Sequence, residues 1–278
     1  MRSVRAVGGI VIALSLLAGC RERERHAVGG TATGASTASV ASSAVGPVPR
    51  EAPPHSSDGG ASDVMDGAAP AEPASEWETE KAWAEARGVV IEPNATTVVA
   101  KRRGKLARSS RYEDTVVVFR PDRKVVRFVA TTKPAQMPNE SISSVPDVDG
   151  DGRKDLGMVR PGVYRAIGDV TFGVPGHPRT AFKLVTEDGD GALPAWRDLD
   201  GDGVFSPRER AVSEQRGYTI TGVYIHYGFE PEGRVIGDRK RSGPWTVGCQ
   251  NVRYDELDAF VEAVGGPKAS FRYAIVHE

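Results

Sequence analysis

Cys249 sits in the stretch RSGPWTVGCQNV (residues 241–252), and apart from Cys20 it is the only cysteine in the chain. A cysteine nucleophile needs a base or a positive neighbour to populate its thiolate, and donors to hold the oxyanion of a tetrahedral intermediate. Of the five histidines, His26 and His55 fall in a low-complexity segment and His277 borders the C-terminus, which leaves His177 and His226 as candidate bases. His226 stands near the end of the strand-like run TITGVYIHYG, so a strand, a loop and a return would bring its imidazole toward the thiol. Against this stands the ordinary fate of a lone cysteine, which is to pack as a small buried hydrophobe.

A second kind of chemistry is written in two acidic loops. In DLDGDGVFSPRE, Asp198, Asp200, Asp202, Ser206 and Glu209 fall at positions one, three, five, nine and twelve of a calcium loop, with Gly203 at six and the Val204 carbonyl at seven. Alternate oxygens at that spacing wrap a hard cation while the glycine makes the sharp turn. Pro194 ahead of it and strand-like sequence around it argue against the flanking helices of an EF-hand. The other loop, DVDGDGRKD, offers Asp147, Asp149, Asp151 and Asp155 but has Met158 at position twelve, which makes it the weaker candidate. Both also read as metal-free Asp-Gly turns. Calcium here would brace structure; a thiol and an imidazole require no cofactor.

The elements that must position these residues begin late in the chain. Residues 1–20 have a basic start at Arg2 and Arg5, an apolar run and a small-residue ending before Cys20, the order of an export signal too short to span a membrane comfortably. Residues 21–75 are Ala, Ser, Gly, Pro and Thr with few large apolar groups, a composition that cannot offset its ordering entropy. They read as a tether whose root-mean-square span is on the order of 40 Å. The folded domain is expected over 76–278. Strand-like runs recur at 96–100, 115–119, 125–130, 163–167, 180–185, 218–227 and 271–276, with a hairpin turn at RPDRK. EWETEKAWAEARG predicts a short helix, and YDELDAFVEAVGG a second, with Leu257, Phe260, Val261 and Val264 on one face. The expectation is a mainly β domain, a sandwich or mixed sheet with one or two short helices. A formal charge of -1, from 36 basic and 37 acidic residues, gives no basic excess for nucleic acid.

Two resemblances sharpen this reading. The ending Leu17-Ala18-Gly19-Cys20 resembles the lipobox of bacterial lipoproteins, which implies a lipidated Cys20 anchored to a bacterial membrane, facing the periplasm or wall. Cys249 is then left as an odd thiol in an exported chain. The stretch from His226 to Asn251 resembles the signature of the L,D-transpeptidases (YkuD-like), in which a histidine is followed, after a loop, by Ser or Thr, then His-Gly-Cys, an apolar residue and Asn. Here His226, Thr246, Gly248, Cys249 and Asn251 match in order, while Val247 replaces the second histidine and Gln250 the apolar residue. A divergent branch with I-H-x-G, W-S-x-G-C-Q and an upstream Arg-Asp is closer, through 225–228, 245–250 and Arg197-Asp198, and the likeness spans about 115–264.

The resemblance implies that Cys249 attacks a carbonyl of a peptidoglycan stem peptide, that His226 takes and returns the proton, and that the amides around Gly248 and Cys249 hold the oxyanion. It also implies a substrate side formed by Thr246, Asn251, Trp245 and Tyr227. Arg241, with Arg234, Arg239 and Lys240 in the basic loop, would meet stem-peptide carboxylates. An amine acceptor gives transpeptidation and water gives L,D-carboxypeptidase or endopeptidase hydrolysis; a calcium-braced wall-binding lipoprotein without turnover is the third reading.

Overall fold

The computed structural model describes residues 75–135, 145–173, 178–228, 234–236, 239–241, 243–244 and 246–278, with no side-chain description for 234–241. The leader, Cys20, the tether, His177 and Trp245 lie outside the described residues.

The chain is mainly β. Strands β1 (Thr97–Arg102), β2 (Asp114–Phe119), β3 (Val125–Thr131), β4 (Gly157–Val159), β5 (Gly162–Phe172), β6 (Arg179–Val185), β7 (Leu193–Arg197), β8 (Thr219–Ile220), β9 (Tyr224–Gly228), β10 (Arg234–Ile236), β11 (Arg239–Arg241), β12 (Gln250–Arg253) and β13 (Ser270–His277) alternate with three described helices. These are α1 (Glu76–Glu85), α2 (Pro207–Arg216) and α3 (Leu257–Ala263). Eight strands close into a barrel in the order β1-β13-β5-β6-β9-β12-β3-β2; β4, β7 and β8 form a separate three-stranded sheet, and β10 and β11 a two-stranded one.

The barrel is mixed: β1–β13 and β9–β12 pair in parallel, the rest antiparallel. Its interior gathers inward residues at period two, Val98 and Ala100 from β1, Val116 and Val118 from β2, Ile225 and Tyr227 from β9. The opposite face of β1 and β2, Val99, Val117 and Phe119, is covered by Trp77 and Ala84 of α1. Burial on both faces explains why β1 reads as a near-continuous apolar run.

Three expectations are corrected. The run 218–227 is two strands, because Gly222 takes a φ of +68° and turns the chain between β8 and β9. There are three described helices rather than one or two. And a helix does follow the Asp198 loop: α2 starts with Ser206 as N-cap, Pro207 at its first turn and a full capping box between Ser206 and Glu209.

Candidate active site and the acidic loops

Strand β9 carries His226, and Cys249 stands on the turn immediately before β12. The parallel register of β9 and β12 sets Asn251 directly opposite His226 and Gln250 opposite Ile225, with Cys249 one residue before the paired segment. His226 is buried, with Nδ1 2.7 Å from the Tyr227 carbonyl oxygen. A carbonyl oxygen only accepts, so Nδ1 carries the proton and the lone pair is left on Nε2, the form a general base needs. Asn251 Nδ2 donates to that Nε2 at 3.2 Å, so the amide engages the lone pair. Phe172, at the end of β5, stacks on the imidazole at 4.0 Å between centroids, fixing the ring plane.

The thiol sits at the edge of the barrel core, 4% exposed, and its S–H donates to the Gly222 carbonyl at 3.8 Å, a contact a thiolate cannot make. The turn before it is stapled by one hydroxyl: Thr246 Oγ1 donates to the Cys249 carbonyl at 2.9 Å and accepts from Gly248 N–H at 3.0 Å. The Gly248 amide, expected at the oxyanion, is therefore already engaged by Thr246. Gly248 is dictated by geometry: its φ is +147°, and a Cβ there would lie 2.5 Å from Ile220 Cδ1 and 3.0 Å from the Gly157 carbonyl oxygen. The start of β4 thus lies directly against the turn that carries Cys249.

Other expected residues divide. Tyr227 is a correction: alternation turns it away from His226 into the barrel core, fully buried, where it meets Tyr254 edge to face at 5.2 Å. Arg241 lies in β11, opposite Arg234. Sequence reasoning missed Tyr112, whose hydroxyl sits against Gly228, so that a Cβ on Gly228 would strike it and also come 3.0 Å from Asn251 Oδ1. It missed Phe172 as well; neither residue belongs to a motif.

The turn is held from below by a buried charge network. Ala135 N–H donates to the Thr246 carbonyl at 2.8 Å, extending β3 to the site. Asp114 accepts from Arg103 N–H, Thr132 N–H and Thr132 Oγ1 at 2.7 to 2.8 Å, with the buried Lys133 ammonium 3.7 Å away. The fully buried Arg102 donates to Thr132 through Nε and Nη2, and its burial pulls the guanidinium down to about 10. Buried charges of this kind are tolerated only when paired and hydrogen-bonded.

The acidic loops lie side by side, joined by Arg153 Nη1 donating to the Asp200 carbonyl at 2.8 Å. One oxygen from each of Asp147, Asp149 and Asp151 lies within 4.8 Å of the others, and the same holds for Asp198, Asp200 and Asp202. In the second loop Asp198 is buried and ion-paired to Arg108 at 2.6 Å, and both its oxygens accept from Gly203 N–H. Burial raises its proton affinity in spite of Arg108. Glu209 accepts from Leu199 and Ser206 amides at 2.7 and 2.8 Å, Ser206 Oγ caps α2, and Val204 is exposed. In the first loop Asp155 is buried, and burial first, then Asp149, Asp147 and Asp151, push it up to about 6.

No protein-family model, curated protein or solved structure matches the chain. Among the described residues no helix is long and apolar enough to cross a membrane.

Proposed function

We propose that the chain is a lipid-anchored cysteine enzyme of the bacterial cell envelope, of L,D-transpeptidase type, acting on peptidoglycan stem peptides. The observation that carries this reading is the β9–β12 pairing, which sets His226 and Asn251 face to face with Cys249 on the adjoining turn, in the order of the signature His, Thr, Gly, Cys, Asn. In this reading the closed mixed sheet is the L,D-transpeptidase-type domain, and Cys20 and the tether hold it near its polymer.

The chemistry follows from the tautomer. As Asn251 Nδ2 yields it, His226 Nε2 accepts the Cys249 proton while the sulfur leaves Gly222 and attacks the stem-peptide carbonyl; the tetrahedral oxyanion collapses to a thioester as the leaving amine takes that proton. An amine acceptor, or water, then attacks the thioester and gives its proton to Nε2, and the thiol is restored. Phe172 and the Tyr227 carbonyl hold the ring for both transfers.

A second reading, a wall-binding protein without turnover, is favoured by one observation: the thiol is 4% exposed and hydrogen-bonded to a carbonyl, where inert cysteines reside. Iodoacetamide alkylation followed by intact mass separates the two. The enzyme reading expects Cys249 to alkylate within minutes near neutral pH and to slow sharply in His226→Ala; a thiol that reacts only after unfolding overturns it.

A further inference from the structure

Convergent carboxylates alone distinguish nothing, since both acidic loops have them. The difference lies at position nine. Asp155 is fully buried, its Oδ2 accepts from Val148 N–H at 2.6 Å, inside the loop, and its Oδ1 has no hydrogen-bond partner among the described residues. Val148 lies between Asp147 and Asp149, so that bond holds the Asp155 carboxylate within the loop whose first three carboxylates converge. A buried, unpaired carboxylate oxygen among carboxylates is costly unless a cation completes it. The Asp198 loop has no such demand, because the Arg108 guanidinium supplies a positive group at 2.6 Å and the Glu209 oxygens are taken up by backbone amides.

We propose that Asp147, Asp149, Asp151 and Asp155 bind a divalent cation of the calcium class, and that this ion braces β4 against the turn carrying Cys249. Two oxygens on one calcium at about 2.4 Å are at most about 4.8 Å apart, the separation within which the first three carboxylates converge. Position twelve is Met158, buried with Leu106, Trp196 and Phe205, so no bidentate carboxylate closes the shell and water must complete it. Weak binding follows, with a Kd on the order of 10⁻⁴ to 10⁻³ M, the range of extracellular calcium modules. The link to the thiol is short. Asp155 N–H donates to the Pro146 carbonyl at 2.9 Å, β4 begins at Gly157, and the Gly157 carbonyl meets the Cβ position of Gly248. This proposal is independent of the catalytic reading and survives its failure.

The test uses the full chain, stripped with a chelator and titrated with calcium chloride or magnesium chloride, followed by calorimetry and thermal unfolding. Saturating calcium raises Tm by about 3–10 °C, with measurable binding heat and a smaller response to magnesium. Asp155→Asn loses both responses, yet its metal-free Tm equals or exceeds that of the unsubstituted chain, because a buried uncompensated charge is gone; Asp149→Asn also loses the response. Asp200→Asn keeps it. The proposal is overturned by no heat and no Tm shift at about 10 mM calcium, ten times the weakest expected Kd. A response abolished by Asp200→Asn but retained in Asp155→Asn and Asp149→Asn overturns it equally.

Discussion

Replacing Gly248 by alanine tests how tightly β4, β8 and the turn carrying Cys249 are fitted together. The substitution adds one methyl group with two separable consequences. The backbone at +147° is a region that L-residues avoid, worth about 1–3 kcal/mol. The new Cβ would lie 2.5 Å from Ile220 Cδ1 and 3.0 Å from the Gly157 oxygen, and overpacking on that scale costs about 1–3 kcal/mol more. The sum, about 2–6 kcal/mol, corresponds to a Tm lowered by roughly 5–20 °C for a domain of this size. Ile220→Val removes the clashing Cδ1 at a cost of about 0.5–1.5 kcal/mol by itself. The double variant should therefore be more stable than the two single effects sum to, by about 1 kcal/mol or more, while the backbone strain remains. Urea unfolding of the four proteins closes this cycle. A Gly248→Ala protein within about 0.5 kcal/mol of the parent, or a strictly additive double variant, would refute the fit.

Other consequences can be checked alongside. His226→Ala should lower acyl-transfer or hydrolysis rates by about 10²–10⁴, read in a steady-state assay, with far-UV circular dichroism unchanged. Thr246→Ala removes both bonds of the staple and should cost about 1–3 kcal/mol in urea unfolding, whereas Thr246→Ser, which keeps the hydroxyl, should recover most of it. Asp114→Ala leaves the Thr132 amide and hydroxyl and the Arg103 amide without their acceptor, while Lys133 keeps Glu113 at 3.0 Å, and should cost about 1–3 kcal/mol, measured by the same method. An Asp114→Ala protein as stable as the parent would mean that the network under the site is not holding it.

Much of the barrel was legible because its strands carry β-branched runs between strong turns: β1, β2, β3, β6 and β13 fall within two residues of expectation, and RPDRK makes the β2–β3 hairpin. What escaped has physical causes. Strand β4 has three residues and β8 two, too few for any period to register. The helix α2, PRERAVSEQR, lacks an apolar stripe, yet its Ser206-Pro207 start with Glu209 at the third position was a readable cap; the calcium-loop reading had claimed the same residues. Strict alternation along β9 was enough to send Tyr227 inward once His226 faced the site. The burial of Arg102, Asp114 and Lys133 was not legible, since charged residues near strand ends ordinarily face water. The ranking of the two acidic loops also depends on structure, because only the fold shows Arg108 reaching Asp198 and Asp155 Oδ1 without a hydrogen-bond partner among the described residues.

The central claim is that Cys249, with His226, performs acyl transfer on peptidoglycan stem peptides. Mass spectrometry of purified peptidoglycan fragments incubated with the protein, beside a Cys249→Ala control, tests it most directly. The account predicts new cross-links or shortened stems that vanish in the control, with a thioester adduct on Cys249 at early times. Fragments left unchanged by a protein that still binds the wall, with and without the thiol, would contradict it.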